Sequence, residues 1–217
     1  YILQIKIGIK NICRIGQMNE IDVIYKNSKT KKIFALDYLK YTCKVLSKIS
    51  VDEVEEFIKV ILEARDRGSS IYFAGNGGSS STASHFANDM AIGTRVNFKP
   101  FKAFSLCDNQ AIISAISNDY GYEYIFSKQL DIFLQADDVV VVISASGNSE
   151  NLVNAVKTAH SLGAITVALT SFDGGKLKEQ ANLSIHIPAN TGEYGPAEDG
   201  HSVINHLVGS FLNRIAN

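Results

Sequence analysis

Five short apolar runs, each followed by a segment with helical periodicity, constrain the fold of this chain more than any other feature. The runs are rich in β-branched and aromatic residues, as in IYFA (71–74) and VVVVIS (139–144). Runs without polar alternation are typical of strands buried on both faces, and their alternation with helices predicts a parallel, doubly wound sheet of five strands. The other three runs are KAFSL (102–106), ITVALT (165–170) and LSIHIP (183–188).

Helical segments precede the first predicted strand. The stretch SVDEVEEFIKVILEARDRG begins with a capping box of Ser50 and Glu53, carries an apolar stripe and ends at Gly68. With 217 residues and 46% hydrophobic content, the chain is long enough for one well-buried α/β domain. We expect residues 33–217 to form this single domain, including an N-terminal helical arm, and residues 1–32 to be an extension without function.

The N-terminal stretch YILQIKIGIKNICRIGQ starts without Met and is interrupted by Lys6, Lys10 and Arg14. It is too interrupted for a signal-peptide core or a membrane span, and no other stretch approaches membrane length. We expect upstream translated sequence or a fragment boundary there, with Met18 as a plausible initiator.

Charge and cysteine content bear on partners and compartment. The 21 Lys and Arg against 22 Asp and Glu give a net charge of −1, so no overall field draws the chain to nucleic acid or acidic lipid. The three cysteines, Cys13, Cys43 and Cys107, form no CxxC pattern. An odd number of cysteines without a secretion signal suits a reducing compartment. We therefore expect a cytoplasmic protein without a nucleic-acid or membrane partner, and no cysteine nucleophile.

Two loops that follow predicted strands are alike. The glycine loop, GNGGSSS (75–81), and the serine loop, SASGNSE (144–150), are small, rich in hydroxyls and lead directly into helices. Ligands of parallel sheets lie beyond the carboxyl ends of the strands. Glycine allows close approach of the backbone, while serine hydroxyls, free amides and the helix dipole favour an anion. Both loops therefore suit a phosphate, although a tight turn before a capped helix has the same general pattern.

Neither loop matches a nucleotide-binding fingerprint. The glycine loop is neither GxGxxG nor GxxxxGK[ST], and it has no lysine for the outer phosphates of a nucleotide. Ser144, Ser146 and Ser149 exceed the single serine that an N-cap needs. The two loops together indicate a small phosphorylated metabolite rather than a dinucleotide or ATP.

Histidines and carboxylates follow the loops at helical spacing. His85 and Asp89 are four residues apart, which puts both on one face of the helix after the glycine loop. Glu198 and His206 are eight apart on a predicted C-terminal helix and can line one cleft. His85 could instead be a buried structural histidine, and Asp89 could merely favour an early helical turn. The remaining histidines are interpreted as peripheral or structural: His201 near the site residues or at the surface, His160 as a helix cap, and His186 within a strand.

Several ordered motifs resemble the SIS (sugar isomerase) domain proteins and, within them, the phosphoheptose isomerases. The resemblance runs from about residue 35 to the C-terminus. It rests on GNGGSSSTASHFA, AISNDYGYEYIFSKQL, DDVVVVISASGNSENLVNAVKTA and VALTSFDGGKL, and on a final helix with paired histidines. It implies a flavodoxin-like α/β fold, a homotetramer with sites between subunits, and interconversion of sedoheptulose 7-phosphate and D-glycero-D-manno-heptose 7-phosphate, or a close sugar phosphate, through an enediol.

The resemblance also implies site residues. The chemistry needs a base, a proton donor and stabilisation of the enediolate. Asp89 or Glu198 would take the carbon-bound proton, and His206 would move the hydroxyl proton. His85, Asp89, Glu198 and His206 match four positions that bind zinc in several family members. The positions that match substrate contacts are Asn76, Gly77, Gly78, Ser79, Asn118, Asp119, Ser144, Ala145, Ser146, Ser149 and Glu198.

The sequence departs from the family pattern near these residues. Asp89 is one methylene shorter than the expected Glu, and Glu198 replaces a Gln. Gly93 stands where an Arg is usual, Ala145 where Thr is usual, and TGEYGPAEDG replaces the usual stretch before the last helix. A His/Asp/Glu/His set remains a credible zinc site. The changes could equally indicate a different sugar phosphate.

Two other functions compete with isomerisation on the same fold. One is a non-catalytic phosphosugar-binding regulator of the replication-initiator-associating type, and the other is a sugar-phosphate lyase or etherase, which would normally need a larger chain. The carboxylates and imidazole of Asp89, Glu198 and His206 favour catalysis, because a sensor would need only the serine-rich loops.

Overall fold

The computed structural model describes residues 18–94 and 99–215 and contains one parallel five-stranded sheet in this part of the chain. The strands are β1 (Ser70–Gly75), β2 (Lys102–Ser105), β3 (Val139–Ser144), β4 (Ile165–Ser171) and β5 (Leu183–Ile187). Every predicted run forms a strand, and each boundary agrees within one residue. The strand order is β2-β1-β3-β4-β5, the order of flavodoxin-like folds.

The sheet is covered by helices on both faces, which explains its apolar central strands. All six residues of β3 are buried, and its neighbours β1 and β4 are buried almost throughout. The helices are α1 (Glu20–Asn27), α2 (Lys31–Leu46), α3 (Val51–Arg67), α4 (Gly78–Asn88), α5 (Gln110–Asp119), α6 (Ser127–Phe133), α7 (Glu150–Ser161), α8 (Gly175–Gln180) and α9 (Tyr194–Ile215). No helix within the described ranges has the length and apolar character to span a bilayer.

Helix α3 has the predicted start and end. The Ser50 side chain accepts from the backbone N–H of Glu53 at 3.3 Å, and Gly68 ends the helix with φ +79°. The Glu53 carboxylate does not return to the cap as in a full capping box. It accepts instead from the backbone N–H of His186 at 3.0 Å, which ties α3 to the edge strand β5.

The helical arm begins earlier than residue 33, because α1 packs against the domain through Glu193. This carboxylate is fully buried and accepts from the backbone N–H of Glu20 at 2.7 Å and from the hydroxyl of Tyr41. It lies at the N-terminus of α1, where the helix dipole stabilises a negative charge. Burial, together with this carboxylate, raises the pKa of the Tyr41 phenol. The predicted initiator Met18 lies at the start of the described residues, and the expectations for residues 1–17 fall outside them.

The topology creates a crevice between β1 and β3. The chain leaves β1 toward β2 on one side, whereas β4 and β5 lie on the other side of β3. At such a switch point the connections diverge, and ligands bind beyond the carboxyl ends of the two strands. The glycine loop follows β1 and the serine loop follows β3, so both predicted phosphate loops flank this crevice.

Candidate active site

The glycine loop makes a tight connection from β1 into α4. Gly77 has φ +54° and ψ −123°, a conformation that favours glycine. No side chain caps the N-terminus of α4. Ser79 is buried in the first turn. The helix start therefore faces the crevice with its dipole uncompensated by a capping side chain.

The helix that follows the serine loop, α7, likewise has no side-chain cap at its N-terminus. Ser149 occupies the N-cap position of α7, yet its side chain makes no capping hydrogen bond. By contrast, side chains cap α1, α2, α3 and α5 through Asn19, Thr30, Ser50 and Asn109. The short helices α6 and α8 also lack such caps. Among helices of eight residues or more whose N-cap is described, only those after the two loops lack a side-chain cap, as expected of sites that take a ligand.

The two loops meet at one cavity, here named the loop cavity, of about 180 Å³. Helix α9 closes it with Tyr194 and Glu198 from its first two turns. The Glu198 carboxylate lies so close to Gly78 that a Cβ there would be 2.6 Å from Oε2. The lining residues are Asn76, Ser79, Ile143, Ser144, Ala145, Ser146, Ser149, Tyr194 and Glu198.

A second group of site residues, the His–Asp–His cluster, consists of His85, Asp89 and His206. One ligand atom from each lies within 4.8 Å of the others. His85 Nε2 is 3.2 Å from Asp89 Oδ2, and the two imidazole centroids are 5.0 Å apart. Two imidazoles and one carboxylate that leave a coordination position open are typical of catalytic zinc sites. The donor set therefore fits a zinc ion.

Packing explains how α4 presents these groups. Phe86 is buried, and its ring stacks on Phe73 of β1 with centroids 4.9 Å apart. This contact fixes the rotation of α4 and leaves the neighbouring His85 exposed on the outer side. Asp89 begins a π-helical turn, Asp89–Gly93, immediately after α4. Such turns are frequent at functional sites.

Glu198 does not belong to the cluster in the described part of the chain. It precedes His206 by eight residues, which is an advance of about 12 Å along a helix. The structure thus brings three of the four predicted zinc ligands together and places Glu198 beside the glycine loop instead.

Space remains next to Asp89. A cavity of about 340 Å³ lies there, and Gly93 and Gly209 leave it open because neither carries a side chain. Asn205, which is buried, donates from Nδ2 to Asp89 Oδ2 at 3.1 Å. The remaining lining residues are His206, Ser210, Asn213 and Arg214.

Asn118 and Asp119 lie at the end of α5 and do not line the loop cavity. Asn118 donates to the Asp119 carboxylate at 2.8 Å, and both are exposed. The segment after them does reach the site, because the hydroxyl of Tyr122 donates to Asn76 Oδ1 at 2.9 Å.

The other histidines and Cys107 have structural surroundings. The surface interpretation of His201 is wrong: it is fully buried, its Nε2 lies 3.3 Å from the carbonyl oxygen of Thr170, and burial lowers its pKa to about 4. His160 lies in the last turn of α7 and His186 within β5, as predicted. Burial raises the pKa of the Cys107 thiol, which disfavours a reactive thiolate.

Asn151, Tyr122 and Tyr194 are among the residues of the site that were not predicted. Tyr194 lies in the divergent segment TGEYGPAEDG, which was a usable signal, and its ring packs edge-on against Phe172 at 5.1 Å. Asn151 is buried two residues beyond Ser149 and pairs with Asn76. Nothing in the local sequence indicates that pairing, since the two residues are 75 positions apart.

Comparisons with known proteins agree with this geometry. The family model described as SIS domain matches residues 36–171. A phosphoheptose isomerase of Citrifermentans bemidjiense is 34% identical over 179 residues, covering 81% of this chain and 92% of that protein. This chain belongs to the phosphoheptose isomerase group of the SIS domain family. A group member from Cytophaga hutchinsonii is 41% identical over 149 residues, covering 69% of this chain and 77% of that protein.

Solved structures of phosphoheptose isomerases have the same fold. The enzyme of Francisella tularensis superposes with a TM-score of 0.79 at 26% identity, covering 85% of this chain and 99% of that one. The enzyme of Neisseria gonorrhoeae gives 0.77 at 28% identity, covering 85% and 100%. The shared fold thus extends over nearly the whole length of both relatives.

Proposed function

We propose that this protein is an aldose–ketose isomerase that interconverts sedoheptulose 7-phosphate and D-glycero-D-manno-heptose 7-phosphate, or a close sugar phosphate, through an enediol. The observation that carries the proposal is that two helices, α4 and α9, each connect the region of the glycine loop with the His–Asp–His cluster. Helix α4 runs from the glycine loop to His85, and α9 runs from Glu198 to His206. A substrate whose phosphate is bound at the loops can therefore extend along both helices toward the His–Asp–His cluster.

The phosphate binds to the serine loop. Ser144, Ser146 and Ser149 line the loop cavity at the start of α7, and Ser79 faces them from α4. The Glu198 carboxylate already lies at the start of α4 beside Gly78, so a phosphate there would meet a like charge. The uncapped start of α7 offers free amides and a favourable dipole. Asn76, Gly77, Gly78 and Ala145 then contact the sugar-phosphate from the loops, and Asn118 and Asp119 remain predicted sugar contacts.

Carboxylates and an imidazole transfer the protons. Asp89 or Glu198 takes the proton from the carbon next to the carbonyl, which leaves an enediolate, and the proton returns to the adjacent carbon. His206 moves the proton between the two oxygens, a role that suits an imidazole near neutral pH. The reaction shifts two hydrogens and consumes no co-reactant.

A zinc ion would be held by His85, Asp89 and His206. When bound, it supplies a Lewis acid for the substrate oxygens. Glu198 lies away from this cluster, at the glycine loop, where its carboxylate faces the substrate rather than completing the ligand set.

We also infer a cytoplasmic homotetramer with sites between subunits. Support comes from an apolar stripe on α9, formed by Val203, Leu207 and Phe211, which lines a groove of about 600 Å³. Each of these side chains is exposed in the single chain. Apolar faces of this kind are usually covered by another protein surface.

The regulatory alternative is not favoured. Binding alone would require the loops, whereas the His–Asp–His cluster adds two imidazoles and a carboxylate that a sensor does not need. The relatives reported above carry the name of an enzyme, which favours catalysis further.

Turnover of sedoheptulose 7-phosphate, with and without added zinc, tests the proposal. His206→Ala should lower kcat at least ~100-fold, because positioned acid–base groups contribute that much. His160→Ala is the matched control, since His160 bonds to Thr166 at the far end of α7, and it should retain activity. Turnover of His206→Ala within a few-fold of wild type would contradict the assignment.

A further inference from the structure

The side chains of Asn76 and Asn151 form a closed amide pair across the crevice. Asn76 Nδ2 donates to Asn151 Oδ1 at 2.9 Å, and Asn151 Nδ2 donates to Asn76 Oδ1 at 2.8 Å. Asn76 belongs to the glycine loop, and Asn151 lies in the first turn of α7 behind the serine loop. The pair thus joins the two loops that line the cavity.

Asn151 bonds to nothing else with its side chain among the described residues. It is 2% exposed, so its amide has left water entirely. A buried amide is tolerated only when it is hydrogen-bonded, and an apolar residue of the same size would avoid that requirement. An asparagine at position 151 is therefore explained by the two hydrogen bonds that its side chain exchanges with Asn76.

Tyr122 provides a third contact. Its hydroxyl donates to Asn76 Oδ1 at 2.9 Å, so this oxygen receives two hydrogen bonds. Tyr122 itself is exposed and belongs to the segment after α5. Asn76, which itself follows β1, is in this way held by elements that follow two other strands, β2 and β3.

The second N–H of Asn76 Nδ2 has no acceptor among the described residues, and Asn76 lines the loop cavity. An amide donor whose oxygen is fixed at two points is restricted to one direction. An oxygen of a bound sugar phosphate is the acceptor that this donor can reach.

We propose that Asn151 and Tyr122 are positioning residues that hold the Asn76 amide toward a substrate oxygen. The inference rests on the proposed sugar-phosphate site and adds to it the two residues that orient one of its donors. Neither residue touches the substrate. Their effect passes through Asn76, so it should disappear when Asn76 is truncated.

The test is a double-mutant analysis of sedoheptulose 7-phosphate isomerisation, with Tyr122→Phe and Asn151→Leu made on the wild type and on Asn76→Ala. Tyr122→Phe should lower kcat/KM three- to tenfold without changing Tm, because it removes one exposed hydroxyl. Asn151→Leu should lower kcat/KM roughly 10- to 100-fold, as misplacement of a substrate-positioning group does. On the Asn76→Ala background neither substitution should reduce kcat/KM further, which is the signature of residues that act as a unit.

Two controls separate positioning from general damage. Tyr120→Phe removes a hydroxyl from the same segment, where the ring faces Lys128, and should leave kcat/KM unchanged. Affinity for inorganic phosphate should stay within twofold in Asn151→Leu, because the serines remain in place. A parallel loss of phosphate affinity would overturn the inference by showing that Asn151 shapes the serine loop.

Equal effects of the substitutions with and without the Asn76 side chain would also overturn it, as would unchanged kcat/KM in both single variants. A wild-type protein that fails to turn over any sugar phosphate would contradict the proposed function itself, and the inference would fall with it. If the wild type is active and both single variants retain its kcat/KM, the inference is contradicted while the proposed function stands.

Discussion

The Glu198 carboxylate lies directly against Gly78, so that a Cβ on residue 78 would be 2.6 Å from Glu198 Oε2. Gly78 is the first residue of α4, and the helix start thus faces a negative charge. The start of α7 presents serine hydroxyls to the loop cavity, and its first-turn carboxylate, Glu150, is exposed and does not line that cavity. This difference divides the crevice into a carboxylate side and a phosphate side.

Gly78→Ala should impair catalysis more than folding. The added methyl meets the mobile end of the Glu198 side chain, which can move aside, so the free energy of unfolding should change by less than about 1 kcal/mol. The displaced carboxylate should lower kcat/KM at least ~10-fold. Thermal melts and steady-state kinetics on the same preparation measure both quantities. If displacement of Glu198 is the cause, Gly78→Ala should have little further effect on a Glu198→Ala background.

The two N-cap serines, Ser149 and Ser50, should respond differently to alanine. Ser50 caps α3 with its side chain, so Ser50→Ala should cost about 1 kcal/mol of stability and leave KM unchanged. Ser149 makes no capping bond, so Ser149→Ala should leave Tm nearly unchanged and raise KM about tenfold through loss of a hydrogen bond to a charged group. Equal loss of stability in both variants would show that Ser149 is an ordinary cap.

The strands and both loops could be predicted from the sequence because their signals are local. The five apolar runs and two hydroxyl-rich turns can be recognised without knowledge of tertiary contacts. The i, i+4 spacing of His85 and Asp89 likewise corresponds to a 3.2 Å contact in the structure. The placement of Glu198 could not be predicted, since it depends on how α9 crosses α4. The buried carboxylate Glu193 and the Asn76–Asn151 pair depend on partners far away in sequence, for which no periodicity gives a signal.

Asn205→Leu should weaken zinc binding without destabilising the protein. Asn205 Nδ2 holds Asp89 Oδ2, whereas its own Oδ1 is buried without a hydrogen-bond partner in residues 18–94 and 99–215. Loss of a hydrogen bond to a metal ligand typically reduces affinity 10- to 100-fold. Removal of a half-satisfied buried amide should leave Tm equal or higher. Competition with a chromophoric chelator measures the affinity.

Thr42→Val serves as the control for that experiment, because Thr42 is another buried polar residue and lies on α2. Its zinc affinity should equal that of the wild type. Unchanged zinc affinity in Asn205→Leu would show that Asn205 does not orient Asp89.

Acid should destabilise the protein through His201. Burial lowers the pKa of this histidine from 6.5 to about 4 in the folded state, so between these values the unfolded chain binds the extra proton. Stability is therefore complete above pH 6.5 and decreases as the pH falls, by roughly 2 kcal/mol between pH 7 and pH 5. Denaturant unfolding at several pH values measures this slope, which should be clearly shallower in His201→Gln. An identical slope in the variant would assign the acid sensitivity to other groups.

The most direct test of enediol isomerisation is solvent exchange followed by NMR. The purified protein is incubated with sedoheptulose 7-phosphate in deuterated water, with and without added zinc. Proton transfer by Asp89 or Glu198 and His206 predicts formation of the aldose with deuterium at carbon 2. Ligand signals that broaden while neither aldose nor deuterium incorporation appears would contradict catalysis and leave a pocket that only binds the sugar phosphate.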